Sequence, residues 1–110
     1  MGGSGGGGAP PIIGGGRPQG DPCILNFDVA LVAVDPAVAK GVLTGQILPV
    51  VLQTANGVDI VAVTTGDGKR LGAVNSSETL QLIDCMKNGR QYVARVLKIG
   101  SPTSVRIQNQ

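Results

Sequence analysis

The stretch Gln46–Val74, QILPVVLQTANGVDIVAVTTGDGKRLGAV, decides the fold. Three runs rich in Val, Ile and Leu are separated by two short glycine turns, and β-branched residues in runs of this length favour strands. Asn56-Gly57 lies between the first run and the second. Both residue types accept the positive φ angles that a tight hairpin turn requires. Asp67-Gly68, inside GDG, is read the same way between the second run and the third, so the segment is two successive hairpins with Lys69-Arg70 just past the second tip. Pro49 has no amide hydrogen to donate to a ladder, which predicts that its strand lies at a sheet edge or carries a bulge there.

Upstream, in CILNFDVALVAV, Leu25, Phe27, Val29 and Leu31 alternate with Asn26, Asp28 and Ala30, the period of a strand with one buried face. Asp35-Pro36 ends it and opens a short helical turn in DPAVAKGVL, with Asp35 as cap, Pro36 at the first position and Gly41 as stop. Downstream of Val74 the period becomes helical. Asn75 followed by Glu78 reads as a capping box, Leu80, Ile83 and Met86 recur on one face with Leu82 and Cys85 beside it, and Asn88-Gly89 ends the helix. QYVARVLKI is a further strand, GSPT a turn and SVRIQ the closing strand. The expected fold is mainly β: a small six-stranded OB-like barrel or curled sheet capped by one α-helix.

Two regions divide the chain. Residues 1–20 are Gly/Pro-rich and read as a flexible tail, since glycine at this density offers little to bury against a large entropic cost; GGSGGGG also has the form of an expression linker. Ile12-Ile13 is the tail's one apolar pair, suited to docking on a neighbouring subunit. Residues 21–110 are enough for one small domain. The N-terminus lacks the basic start and apolar run of a secretory signal, and no run of eighteen apolar residues occurs, so the reading is a cytoplasmic protein with no membrane span.

Composition narrows the chemistry further. The chain has no histidine, two cysteines and no C-x-x-C spacing. That leaves no zinc site, no histidine acid–base pair and no Ser-His or Cys-His nucleophile. No metal and no cofactor is expected, and the protein reads as a non-enzyme. Asp59 and Asp67 have no base beside them and no fixed separation that would make them paired carboxylates. Cys23 opens a strand and Cys85 falls on the apolar side of a helix, so both read as small core hydrophobes; a disulfide between them is open to the chain, but nothing in the sequence calls for it. Gly66-Asp67-Gly68-Lys69 lacks the rest of a phosphate-binding G-x-x-x-x-G-K-[ST] loop and the helix that should follow it, so its glycines serve the turn.

The net charge of +2 is unevenly placed. Residues 17–65 carry a balance of −2 and residues 66–110 a balance of +4, with seven basic residues against Asp67, Glu78 and Asp84. Such a surface suits phosphate or an acidic partner, and equally an ordinary solvated face. Lys69 and Arg70 stand at a hairpin tip; Arg90, Arg95, Lys98 and Arg106 lie at the end of the helix and on the last two strands. Arg95 is out of place among Val93, Leu97 and Ile99. It either snorkels at a sheet edge or marks a groove.

Asn56 to Val63, NGVDIVAV, is similar to the N-P-x-D-x-x-A-V segment of HIRAN domains, and Gly68 to Val74, GKRLGAV, resembles the G-x-x-[VL]-G-Y-[LV] hairpin that follows it there. The frame agrees, with a G-x-x-L-x-V strand in Gly45–Val50 before these motifs and a helix, a glycine and a V-x-A-x-V-like strand after them; the likeness spans about residues 42–99. It implies a six-stranded OB-like barrel that binds nucleic acid, in known members the 3′ end of single-stranded DNA, with Asn56 and Asp59 at the positions that line the pocket for that end. The chain departs from the pattern where Gly57 stands for proline, Val58 for the aromatic, Val61 for a second asparagine and Ala73 for tyrosine. A base with no ring to stack on forfeits roughly 1–3 kcal/mol.

The expected function is therefore a non-catalytic binding module for single-stranded DNA, its expected contacts being Asn56, Asp59, Lys69, Arg70, Arg90 and Arg95. The alternative is a structural or adaptor protein that acts through self-association or a protein partner, of a size that fits an accessory gene of a bacterial mobile-element or phage-defence locus.

Overall fold

The computed structural model describes residues 20–110. The expected tail, residues 1–20, lies outside the described residues apart from Gly20. Eight elements follow in chain order: β1 Asn26–Ala30, α1 Pro36–Ala39, β2 Ile47–Ala55, β3 Val58–Thr64, β4 Arg70–Val74, α2 Thr79–Lys87, β5 Tyr92–Lys98 and β6 Ser104–Asn109. All six strands are antiparallel to their neighbours in one sheet of order β1-β6-β5-β2-β3-β4. The sheet curls until the chain beyond β1 meets β4. There Val32 and Ala73 exchange two backbone hydrogen bonds of 2.9 Å, and Asp35 N donates to Leu71 O. This isolated bridge joins the two edges without a continuous ladder, so the molecule is a curled sheet and not a closed barrel. Gly72 permits the approach: a Cβ there would lie 3.0 Å from Leu31 Cβ and 3.1 Å from Val32 O.

The hairpin reading of Gln46–Val74 holds. Ala55 pairs with Val58 across Asn56-Gly57, whose φ angles of 53° and 77° are those of a two-residue turn with both central residues left-handed. At the second tip only Gly68 takes a positive φ, +89°, and Asp67 does not. Gly68 N donates to Thr65 O and Thr65 N to Lys69 O, which makes a three-residue loop with a glycine bulge. Pro49 departs from expectation, because β2 is a central strand and no bulge falls there. Its ladder to β3 starts one residue later, at Val50, while Pro49 itself is opposite Val93 of β5. At that position the strand has one unpaired side, where a residue without an amide hydrogen is tolerated.

The core is the inner face of the sheet, filled by alternate residues such as Leu48, Val50, Val61, Val63, Tyr92, Ala94, Val96, Val105 and Ile107. α1 begins as expected, with Asp35 Oδ1 accepting from Ala37 N and Val38 N. α2 packs on this core through Leu82, Ile83 and Cys85, whereas Leu80 is 76% exposed. Of the expected stripe, Ile83 and Met86 do pack on the core and Leu80 does not; the packed face is rotated toward Leu82 and Cys85, the residues placed beside the stripe. The capping box at Asn75 does not form either. Ser76 takes that place: its hydroxyl donates to the Glu78 carboxylate and accepts from Glu78 N, while Thr79 Oγ1 accepts from Ser76 N. The end of the helix follows the sequence closely, as Gly89 N donates to Met86 O and Arg90 N to Cys85 O around Gly89 at φ +91°.

Cys23 and Cys85 are joined in a disulfide, which corrects their reading as two independent core hydrophobes. Both still pack against the core. The bond staples the segment before β1 to α2. Around it, Tyr92 Oη donates to Cys23 O at 2.6 Å, Asn109 Nδ2 donates to the same oxygen at 2.9 Å, and the Asn109 side-chain oxygen accepts from Leu25 N. Burial pushes the Tyr92 hydroxyl above its ordinary pKa, so it stays a donor across the physiological range.

Candidate functional site

The sequence-derived site residues do not converge on one place. Asn56 is exposed at the tip between β2 and β3, and Lys69 is exposed beyond the tip between β3 and β4. These tips lie at opposite ends of β3, a strand of seven residues, which is about 20 Å long. Asp59 is half-buried on β3, where Lys87 Nζ of α2 lies 2.7 Å from its carboxylate and Thr54 Oγ1 donates to it. Lys69 faces Asp67 at 3.8 Å, and Arg70 Nη1 reaches across the sheet to Gln53 Oε1 at 3.3 Å. Arg90 is in an ion pair with Asp21 and so helps to hold the N-terminal segment.

Asp59 and Arg70 do share one groove. About 410 Å³ in volume, it runs between the β3–β4 edge and the start of α2, with Val32, Val58, Ile60 and Ala73 among its apolar walls. No aromatic residue lines it. Tyr92 is 1% exposed and Phe27 is half-buried against the core, so neither ring offers an open stacking face. A second hollow of about 570 Å³ separates α1 from the GDGK tip, with Asp35, Asp67 and Lys69 at its rim. Each of these groups already bonds within the molecule. Among the described residues no three of His, Cys, Asp and Glu cluster so as to hold a metal ion. No helix among them is long and apolar enough to cross a membrane.

The Lys87 ammonium beside Asp59 holds that carboxyl below its ordinary value of 3.8, and the carboxylate raises Lys87 above 10.5 in return. The two shifts give opposite dependences on pH. The contribution of Asp59 is complete above its unfolded value and is lost as pH falls through the lower folded value; that of Lys87 is complete below its unfolded value and is lost as pH rises through the higher one. Thermal melts between about pH 5 and pH 2 are accordingly expected to show a smaller acid-induced drop in Tm for Asp59→Asn than for the wild type. Equal drops would mean that the pair contributes nothing measurable.

Two partnerships escape the sequence. Arg106 Nε donates to Asp28 Oδ1 at 2.7 Å and its Nη2 to Oδ2 at 3.2 Å, a two-pronged contact that holds Asp28 below its ordinary pKa. It joins residues 78 apart, and no local pattern announces it. The Asp59–Lys87 pair likewise exists only because α2 packs over β3. Arg95, by contrast, stays without a carboxylate or side-chain hydrogen-bond partner among the described residues. It is exposed on the outer face of β5, a strand with a neighbour on both sides. It therefore does not snorkel at a sheet edge. Compared with models of known protein families, with curated proteins and with solved structures, the chain matches none.

Proposed function

We propose that this protein is a non-catalytic binding module for single-stranded nucleic acid, on a HIRAN-like sheet. The observation that carries the reading is how the charges are disposed. Every acidic residue except Asp84 bonds to a donor inside the molecule: Asp21 to Arg90, Asp28 to Arg106, Asp35 to the start of α1, Asp59 to Lys87, Asp67 to Thr65 and Glu78 to Ser76. Lys40, Arg70, Arg95 and Lys98 are left exposed with no acid to neutralise them. Such a surface attracts a polyanion through sequence-independent contacts that weaken with salt. The groove at Asp59 and Arg70, next to the Asn56 turn, is where the family likeness puts the strand end. With no ring to stack on, contacts to bases contribute little there.

The test is fluorescence anisotropy of labelled single-stranded DNA with free or blocked 3′ ends, at low and moderate salt. Binding that weakens steeply with salt is expected, and a preference for the free end would make the Asn56–Asp59 hairpin an end pocket. No binding at low salt would overturn the reading. Exposed Ile47, Val58 and Leu80 favour a second reading, an adaptor that self-associates; a multimer that persists on dilution and ignores DNA would select it. Cytoplasmic location belongs to the proposal as well, and the redox state of Cys23 and Cys85 in the cell is its test.

A further inference from the structure

The outer face of β1, β6, β5 and β2 carries rows of side chains set by the strand register. Asp28 is opposite Arg106, Arg106 opposite Arg95, and Arg95 opposite Ile47, so one row crosses all four strands. Lys98 is opposite Ser104, two residues along β6 from Arg106, which puts it on the same face one row away. Residues in register on neighbouring antiparallel strands have Cβ atoms about 5 Å apart, and like charges placed so repel. Asp28 neutralises Arg106 alone. Nothing in the fold needs a cation at position 95: its strand neighbours Val93 and Leu97 are half-buried aliphatics, and Ile47 across from it is 45% exposed. An uncompensated guanidinium on an exposed sheet face, one strand away from the Arg106–Asp28 pair, is complementary to a phosphate.

We propose that this outer face, with Arg95 at its centre and Arg106 and Lys98 to either side, is a track for the phosphodiester backbone of a single strand. The inference rests on the nucleic-acid reading above and adds a surface distinct from the groove at Asn56, Asp59 and Arg70. Arg95 meets one phosphate, with the Asp28-paired Arg106 beside it, and Lys98, about 7 Å further along the strand direction, meets a second. Contacts of this kind set position along the strand without reading its sequence. The track is indifferent to strand ends.

The experiment uses the full chain and a labelled oligo-dT whose 3′ end is blocked, so that an end pocket does not contribute. Arg95→Glu is compared with Lys40→Glu, which makes the same charge change at an exposed cation just beyond α1, outside the sheet. Thermal melts check that both variants fold. Arg95→Glu is expected to weaken binding about tenfold or more at low salt and to reduce the slope of log affinity against log salt by about 0.7, as the loss of one phosphate contact requires. Lys40→Glu is expected to change affinity less than twofold. Equal effects of the two substitutions, or none from Arg95→Glu, would overturn the track while leaving the nucleic-acid reading intact. Binding of the free-ended oligonucleotide but not the blocked one would do the same. If the wild type binds neither, track and reading fall together, and if polyglutamate displaces the oligonucleotide at lower concentration than unlabelled oligo-dT does, the face belongs to an acidic protein and the track is wrong.

Discussion

Reduction of the Cys23–Cys85 bond is expected to lower the unfolding free energy by roughly 2–4 kcal/mol, a large part of what a domain this size has. The two cysteines are 62 residues apart. Opening so long a loop restores much conformational freedom to the unfolded chain, and the segment ahead of β1 is then held by the Asp21–Arg90 pair, the contacts to Cys23 O, hydrogen bonds from Gln81 Nε2 to Pro22 O and from Leu25 N to Asn109 Oδ1, and the packing of Leu25 on the core. Urea unfolding with and without dithiothreitol measures the difference, and the Cys23→Ala/Cys85→Ala variant, insensitive to reductant, is the control. Identical midpoints for oxidised and reduced protein would show that the bond does not stabilise the fold. Trapping free thiols with an alkylating reagent as cells are lysed addresses location. Two labelled cysteines would put the protein in a reducing compartment, and a blocked pair in an oxidising one.

Leu82→Ala is expected to be the most damaging single truncation in α2, at about 2–5 kcal/mol, whereas Leu80→Ala two residues away should change stability by less than about 0.5 kcal/mol. Leu82 is fully buried against the sheet and Leu80 is 76% exposed. The contrast tests how the helix is rotated about its axis, because the stripe that periodicity alone favours contains Leu80. Comparable losses at both positions, read by urea midpoint at constant m-value, would mean that α2 docks differently.

That rotation marks where legibility in the sequence ends. Turns were readable because their chemistry is local: Asn56-Gly57 and Gly89 accept positive φ wherever they stand, and Asp35-Pro36 starts a helix from its own side chains. Strand alternation in Leu25–Leu31 was legible for the same reason, whereas in β5 the apolar run on both faces hid that Tyr92, Ala94 and Val96 are the residues that turn inward. α2 was legible as a helix, but Leu80, Leu82, Ile83, Cys85 and Met86 spread over more than half of its surface, so which of them face inward depended on what α2 met. Of the site, the basic character of the second half could be read directly. Which cations remain unpaired could not, since Lys87 and Arg106 are taken by carboxylates on strands far away in the chain while Arg95 is not.

The sequence by itself determined six strands, one helix and a short helical turn, their order and the positions of the turns, because each depends on a few adjacent residues and their backbone preferences. Only the tertiary structure decided that β1 pairs with β6, that Val32 bridges to Ala73, that Cys23 meets Cys85, and that Arg95 stands beside Arg106 on an open face. Each of these contacts depends on closing a long loop, and whether a loop closes is settled by the burial of the whole core at once, a sum that no short stretch contains.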